Sequence, residues 1–132
     1  MAYRFSQRSL DRLDSVHPDL IRVAKRAIEI TPYDFGITQG VRTIEEQEKL
    51  VADGKSQTMN SRHLVQDDGY SHAIDIAVYN RDGLTWEVGY YRKVVQAFFT
   101  AAIEENVQIN SGVLWRTFVD GPHIELNPDY YE

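Results

Sequence analysis

Apolar residues recur at helical spacing in three stretches of the chain. The clearest stripe lies between Pro18 and Pro32, where Pro18 suits a first helical turn and Pro32 stops the helix. A longer amphipathic helix is predicted over residues 90–105, and a short helical pattern covers residues 6–13. The first stripe consists of Leu20, Ile21, Ala24, Ala27 and Ile28. The predicted buried face of the longer helix consists of Tyr91, Val94, Val95, Phe98, Phe99, Ala102 and Ile103.

Short β-rich runs separate these helices. Residues 35–39 and 73–79 are predicted strands, and a turn at residues 80–83 closes the second of them. Residues 107–110 and 123–126 are further strand candidates. Helices on one side of a small, mostly antiparallel sheet define an α+β fold, and this is the predicted class.

A capping box and a long loop lie between the first two predicted strands. Thr43 with Glu46 three residues later opens a helix that is expected to end near Gly54. Residues 55–70 are polar and without period, which predicts a long loop, and such loops are usually functional or disordered. Because the chain shows no internal repeat or linker, residues 1–132 are predicted to form a single domain.

Composition excludes several classes of function. Lys plus Arg is 14 and Asp plus Glu is 20, so the formal charge is 14 − 20 = −6, which argues against nucleic-acid binding. The chain has no cysteine, so any metal must be held by His, Asp or Glu. No apolar run reaches the length of a signal peptide or a membrane span, which predicts synthesis in the cytoplasm without a membrane anchor. Action outside the cell would then require another protein for release.

Three of the four histidines lie among polar loop or strand-end residues. His63, His72 and His123 accompany Asp75, and two histidines with one carboxylate can form a catalytic zinc site whose fourth position is open. The alternative is that each is a surface histidine or a hydrogen-bonded structural one, and spacing alone favours neither interpretation. His17 beside Pro18 is predicted to be a capping or surface residue.

The histidines belong to a wider set of motifs along the chain. These are Gln39-Gly40-Val41-Arg42-Thr43 with Gln47, Ser61-Arg62-His63, Ser71-His72-Ala73-Ile74-Asp75, Trp115, and Asp120-Gly121-Pro122-His123-Ile124-Glu125-Leu126. Together they resemble the D-Ala-D-Ala carboxypeptidase / L-alanyl-D-glutamate peptidase family, and the resemblance spans nearly the whole chain. This family includes phage endolysins and bacterial wall-trimming enzymes, and it shares its fold with the Hedgehog signalling domain.

The resemblance implies a role for each matching residue. It implies Zn²⁺ bound by His63, Asp75 and His123. Asp120 would be the base that activates the attacking water, and Arg42 would hold a substrate carboxylate or support the oxyanion. Ser61 and Trp115 would contact substrate, although Trp115 fits a core position equally well. Without the resemblance, Arg42 is best interpreted as a surface arginine before a helix cap.

The chain departs from the family pattern in two places. His63 and Asp75 are twelve residues apart where the family commonly has seven, which predicts an insertion within residues 64–70. We expect the insertion to bulge away from the metal, with Tyr70 as part of a lid and Asp67-Asp68 solvated. In the alternative arrangement His72 replaces His63 as a ligand. Leu114 stands where relatives often have aspartate.

The implied function is that of an endolysin that hydrolyses the L-alanyl–D-glutamate bond of the peptidoglycan stem peptide. Such an enzyme is expected to act as a monomer on the host wall after a separate membrane-permeabilising protein releases it. One alternative is a D-Ala-D-Ala carboxypeptidase or dipeptidase, although those relatives more often carry Glu-x-x-His where this chain has Asp120. The other is a non-catalytic, zinc-bearing wall-binding module, since one fold can serve several functions.

Overall fold

A computed structural model describes residues 3–56, 59, 61–112 and 122–131 of the chain. These residues contain four helices and five strands. The helices are α1 (Gln7–Arg12), α2 (Pro18–Ile30), α3 (Ile44–Ala52) and α4 (Val88–Glu105). The strands are β1 (Phe35–Gln39), β2 (Ala73–Asn80), β3 (Gly83–Thr85), β4 (Ile109–Ser111) and β5 (His123–Leu126).

The strands form one antiparallel sheet in the order β1-β2-β5-β4, with β3 paired to β2. Helices α2 and α4 pack on each other and, with the inward side chains of the sheet, enclose the hydrophobic core. The α+β class with a small antiparallel sheet is therefore confirmed. No helix in the described part of the chain is both long and apolar enough to cross a bilayer.

Local sequence signals explain most element boundaries. The Oγ of Ser6 caps α1 by accepting a hydrogen bond from the Ser9 N–H. Thr43 and Glu46 form the reciprocal capping box at α3. The strands at 35–39 and 123–126 have the predicted bounds, and the long loop contains no helix or strand among its described residues.

One strand was not predicted from the sequence, and two predictions about elements need correction. The three-residue strand β3 pairs across the turn after β2, and it is too short to give a period of its own. The strand predicted at residues 107–110 occupies Ile109–Ser111 instead. On α4, Ile103 is 81% exposed because the buried stripe continues through Ala101 and Ala102 on the adjoining face, and Phe99 is only half-buried.

Side chains on the two faces of the sheet differ in chemistry. On β2, Ile74, Ile76 and Val78 point into the core, so Asp75 points to the opposite face, which we call the open face. On β5, Ile124 and Leu126 are in the core. His123 therefore lies on the open face, as does Glu125 two residues later.

Candidate metal centre

Asp75 lies between two polar neighbours on adjacent strands. His123 of β5 pairs with it on one side, and Gln39 of β1 pairs with it on the other. Regular alternation would place Gln39 on the core face with Phe35 and Ile37. A register shift between Ile37 and Gln39 turns Gln39 to the open face instead, as β-bulges commonly do beside functional sites.

His63 enters the same site from the loop before β2. Its carbonyl accepts a hydrogen bond from the Arg42 N–H at 2.9 Å, and its own N–H donates to the Ser61 Oγ at 3.2 Å. The buried ring donates from Nδ1 to the carbonyl oxygen of Gly40 at 2.9 Å. Three contacts thus fix the backbone and the ring plane of His63.

These elements bring His63, Asp75 and His123 together. Oδ1 of Asp75 lies 3.2 Å from Nε2 of His63 and 3.4 Å from Nδ1 of His123. One ligand atom from each of the three residues lies within 4.8 Å of the other two. Nε2 of His63 and Oδ1 of Asp75 are buried, and neither has a hydrogen-bond partner among the described residues. A buried pair of unsatisfied polar atoms is what a cation between them would satisfy.

Neighbouring charged groups shift the pKa values of Asp75 and His123. Burial alone would raise the pKa of Asp75, but the adjacent imidazoles of His123 and His63 outweigh it and hold that pKa well below its usual range. Burial alone would lower the pKa of His123, but Asp75 and Glu125 raise it to about 9. The two carboxylates, one beside each nitrogen of the ring, thus favour the charged form of His123.

The donor set and its surroundings fit zinc. Two imidazoles and one carboxylate with an open fourth position are typical of catalytic zinc sites. In such sites the other ring nitrogen of each histidine usually donates to a carbonyl or carboxylate. His63 donates in this way to Gly40, and His123 donates from Nε2 to Oε1 of Glu125 at 2.7 Å.

Arg42 lies beside the cluster rather than on the surface. Its side chain is 11% exposed, and one Nη lies 3.6 Å from Oδ2 of Asp75. The guanidinium donates to Oε1 of Gln39 at 2.6 and 3.1 Å and to Oε1 of Gln47 at 2.7 Å, with a longer contact of 3.5 Å to Oγ of Ser61. Gln47 is fully buried. A fixed positive charge is thus held at the edge of the site.

Gly40 provides the carbonyl that orients His63, and its position requires the absence of a side chain. A Cβ there would lie 2.1 Å from the carbonyl oxygen of Arg12 and 2.9 Å from a methyl group of Val16. The chain before α3 therefore passes against the end of α1 at a distance that only glycine permits.

We expect Gly40→Ala to lower the free energy of unfolding by about 1–3 kcal/mol and to weaken zinc binding, because the backbone must move and the Gly40 carbonyl moves with it. Thermal unfolding and chelator competition would measure the two effects. Gly89→Ala is the matched control, since a Cβ there meets nothing within 4 Å. A Gly40→Ala protein with wild-type stability and zinc affinity would contradict this account.

A second cluster of similar composition lies elsewhere in the fold. His17, Asp68 and His72 also place ligand atoms within 4.8 Å of one another. Nδ1 of His72 accepts from Arg62 at 2.9 Å, and Nδ1 of His17 accepts from the Asp19 N–H at 3.0 Å. Each imidazole therefore carries its proton on Nε2, and these nitrogens lie 2.7 Å and 3.7 Å from Oδ2 of Asp68. The Nε2 atoms of His17 and His72, which would have to bind a metal here, therefore carry protons instead.

The second cluster also corrects the description of the insertion. Asp68 does not merely face solvent, because it bonds to His72, and it accepts from the Tyr70 N–H at 3.1 Å. Tyr70 packs its ring on His17, not over the metal cluster. Residues 66–70 form a tight turn, closed by a hydrogen bond from the Gln66 N–H to the Tyr70 carbonyl oxygen. His72 is committed to Asp68 and Arg62, and His63 lies with Asp75 and His123.

We expect Asp68→Ala to lower the free energy of unfolding by about 1 kcal/mol, because His72 loses the acceptor of its Nε2 proton while the site is partly open to water. Zinc content should stay at the wild-type value. The exposed neighbour Asp67 supplies the control variant Asp67→Ala. Loss of zinc from a folded Asp68→Ala protein would show that the insertion holds the metal.

Similarity to known proteins identifies the family to which the chain belongs. The family model described as phage L-alanyl-D-glutamate peptidase matches residues 1–127. The chain belongs to this family. The L-alanyl-D-glutamate peptidase of Escherichia phage T5 is 33% identical over 141 residues, covering 96% of this chain and 99% of that protein. The endopeptidase CwlK of Bacillus subtilis is 29% identical over 110 residues, covering 73% of this chain and 62% of that protein.

A solved structure with a related sequence has the same fold as this chain. The L-Ala D-Glu endopeptidase ChiX of Serratia marcescens superposes with a TM-score of 0.88 at 36% identity. The match covers 99% of this chain and 96% of that one. The fold and the family resemblance inferred from the sequence motifs are both confirmed.

Some members of the site were predicted from the sequence and others were missed. The structure brings Arg42, Ser61, His63, Asp75 and His123 together at the open face. Asp120 and Trp115 lie outside the described residues, as does Leu114, so their roles stay predictions. Sequence reasoning assigned no role to Gln39, Gly40 or Glu125 individually. The sequence could have indicated a role for Glu125, because it follows His123 by two residues in a predicted strand and so shares its face.

Proposed function

We propose that this phage-family peptidase uses zinc to hydrolyse the L-alanyl–D-glutamate bond of the peptidoglycan stem peptide. The observation that carries the proposal is the His63–Asp75–His123 cluster, in which two buried ligand atoms face each other without hydrogen-bond partners among the described residues. The relatives named for this activity support the choice of bond.

Zinc would be held by Nε2 of His63, a carboxylate oxygen of Asp75 and Nδ1 of His123. When bound, it supplies Lewis-acid polarisation and lowers the pKa of water towards about 7. The protein supplies the geometry, because Gly40 and Glu125 fix the two rings. Asp75 sits between the rings and keeps its negative charge at neutral pH, since its pKa is held low.

Arg42 supplies the charge that would recognise substrate. A stem peptide linked through the D-glutamate side chain keeps its α-carboxylate free beside the scissile bond. Gln39 and Gln47 orient the guanidinium next to Asp75, so an incoming carboxylate would lie close to the metal ligands. A bidentate Arg–carboxylate contact gives both energy and orientation. Ser61, which contacts Arg42 and His63, would complete this side of the site.

Asp120 is assigned as the general base, and Trp115 as a residue lining the substrate cleft. Asp120 precedes the ligand His123 by three residues, in the segment that most resembles the family. A carboxylate within hydrogen-bond reach of the attacking water can take its proton and pass it to the leaving amine.

The biological setting follows from the same proposal. The chain would act as a monomeric endolysin, with residues 1–132 as one catalytic domain, made in the host cytoplasm. A separate membrane-permeabilising protein would give it access to the wall. Its partner there is the stem peptide.

Digestion of purified muropeptides followed by mass spectrometry tests the activity. We expect products with a new N-terminal D-glutamate residue. Released D-alanine would instead identify a D-Ala-D-Ala carboxypeptidase or dipeptidase. Binding to the wall without any product would identify a non-catalytic module.

A further inference from the structure

Glu125 makes a contact that the proposed reaction does not itself require. Its Oε1 lies 2.7 Å from Nε2 of His123, and both side chains are about nine-tenths buried. Their alternate positions on β5 place both on the open face, while Ile124 and Leu126 anchor the strand in the core. The strand itself therefore sets the distance between carboxylate and imidazole.

Among the described residues, His123 is the only side chain that hydrogen-bonds with the Glu125 carboxylate. No other described side chain hydrogen-bonds or ion-pairs with Glu125. A buried carboxylate carries a desolvation cost that an apolar residue on the same strand would not. Packing therefore does not explain a glutamate here, whereas a need to hold the His123 ring does.

The contact decides which nitrogen of His123 can bind a metal. A carboxylate only accepts hydrogen bonds, so Nε2 must keep its proton. Nδ1 is left to face Asp75, with Oδ1 at 3.4 Å, and the ring of His63 at a centroid distance of 5.1 Å. His63 is arranged in the opposite sense, with Nδ1 donating to Gly40 and Nε2 facing Asp75.

We propose that Glu125 is a positioning residue that fixes His123 as an Nδ1 ligand and tightens zinc binding. This inference rests on the proposed function, because it assumes that zinc binds at the His63–Asp75–His123 cluster. A carboxylate acceptor makes the imidazole a stronger ligand than a neutral carbonyl does. Of the two histidine ligands, His123 has the carboxylate acceptor, whereas His63 donates to the carbonyl oxygen of Gly40.

Zinc affinity, measured by competition with a chromophoric chelator, is the main test. We expect Glu125→Ala to weaken zinc binding about 10–100-fold. Glu125→Gln keeps an acceptor for the Nε2 proton but removes the charge, so it should recover part of the loss. Glu48→Ala removes an exposed glutamate and is the control. Folded Glu125 variants that bind zinc as tightly as the wild type would overturn the proposal.

Nitrogen-15 NMR of the zinc-loaded wild type tests the same point without a variant. The expected spectrum shows His123 protonated at Nε2 and metal-bound at Nδ1, with the opposite pattern at His63. Zinc bound through Nε2 of His123 would overturn the proposal even if the Glu125 variants failed to fold. A wild type that binds no zinc and cleaves no muropeptide would instead overturn the proposed function itself.

Discussion

Replacing Asp75 by alanine is expected to yield a folded protein without zinc and without measurable cleavage of muropeptides. Oδ1 of Asp75 lies between the two proposed histidine ligands, 3.2 Å from Nε2 of His63 and 3.4 Å from Nδ1 of His123. Without it, two imidazoles are left where a catalytic zinc site needs three protein ligands. Its side chain is outside the hydrophobic core, so the sheet should persist.

Metal analysis after gel filtration, circular dichroism and muropeptide turnover would be measured on the same preparation. Asp75→Asn is the closest isostere and should also lose most zinc, because a neutral amide oxygen is a weaker ligand than a carboxylate. Asp67→Ala, an exposed aspartate of the insertion, should behave as the wild type. Stoichiometric zinc in a folded Asp75→Ala protein would show that the metal binds elsewhere.

Asp120→Ala is expected to separate metal binding from turnover. We expect it to keep zinc and to lose turnover on the order of a hundredfold or more, as for removal of a general base. His123→Ala should lose both, because that residue is a proposed ligand. The two residues are three positions apart in one segment, so the contrast tests the assignment of roles and not merely the integrity of that segment.

The control for Asp120 is the pH dependence of the rate. In the wild type, kcat should fall at low pH as the base becomes protonated, and in Asp120→Ala this acid limb should disappear from the residual rate. Asp120→Asn should behave like alanine, because an amide cannot accept the proton. A near-wild-type rate in either variant would assign the base to another residue.

The elements that local signals encode were predictable from the sequence. The Thr43–Glu46 capping box and the helix starting at Pro18 depend on contacts within a few residues. The strand at His123–Leu126 was also predicted, although its hydrogen bonds are to β2 and β4. The three proposed ligands came from motif resemblance, because His63 and Asp75 are brought together only by tertiary structure.

Other features could not be predicted because they depend on long-range contacts. Alternation along β1 would assign Gln39 to the core, and only the bulge after Ile37 turns it towards Asp75. The adjacent acids of the insertion look alike in sequence, yet Asp68 bonds to His72, and Asp67 makes no such contact within the part of the chain that the structure describes. The requirement for glycine at position 40 comes from Arg12, which is 28 residues earlier in the chain.

Zinc titration of chelator-stripped protein, with L-alanyl–D-glutamate cleavage followed at each addition, tests the central claim most directly. One equivalent should restore full activity, because the His63–Asp75–His123 cluster fits a metal while protons fill the His17–Asp68–His72 cluster. Activity should rise in proportion to zinc and stop rising at one equivalent. Full activity in excess chelator, or a requirement for a second equivalent, would contradict the account.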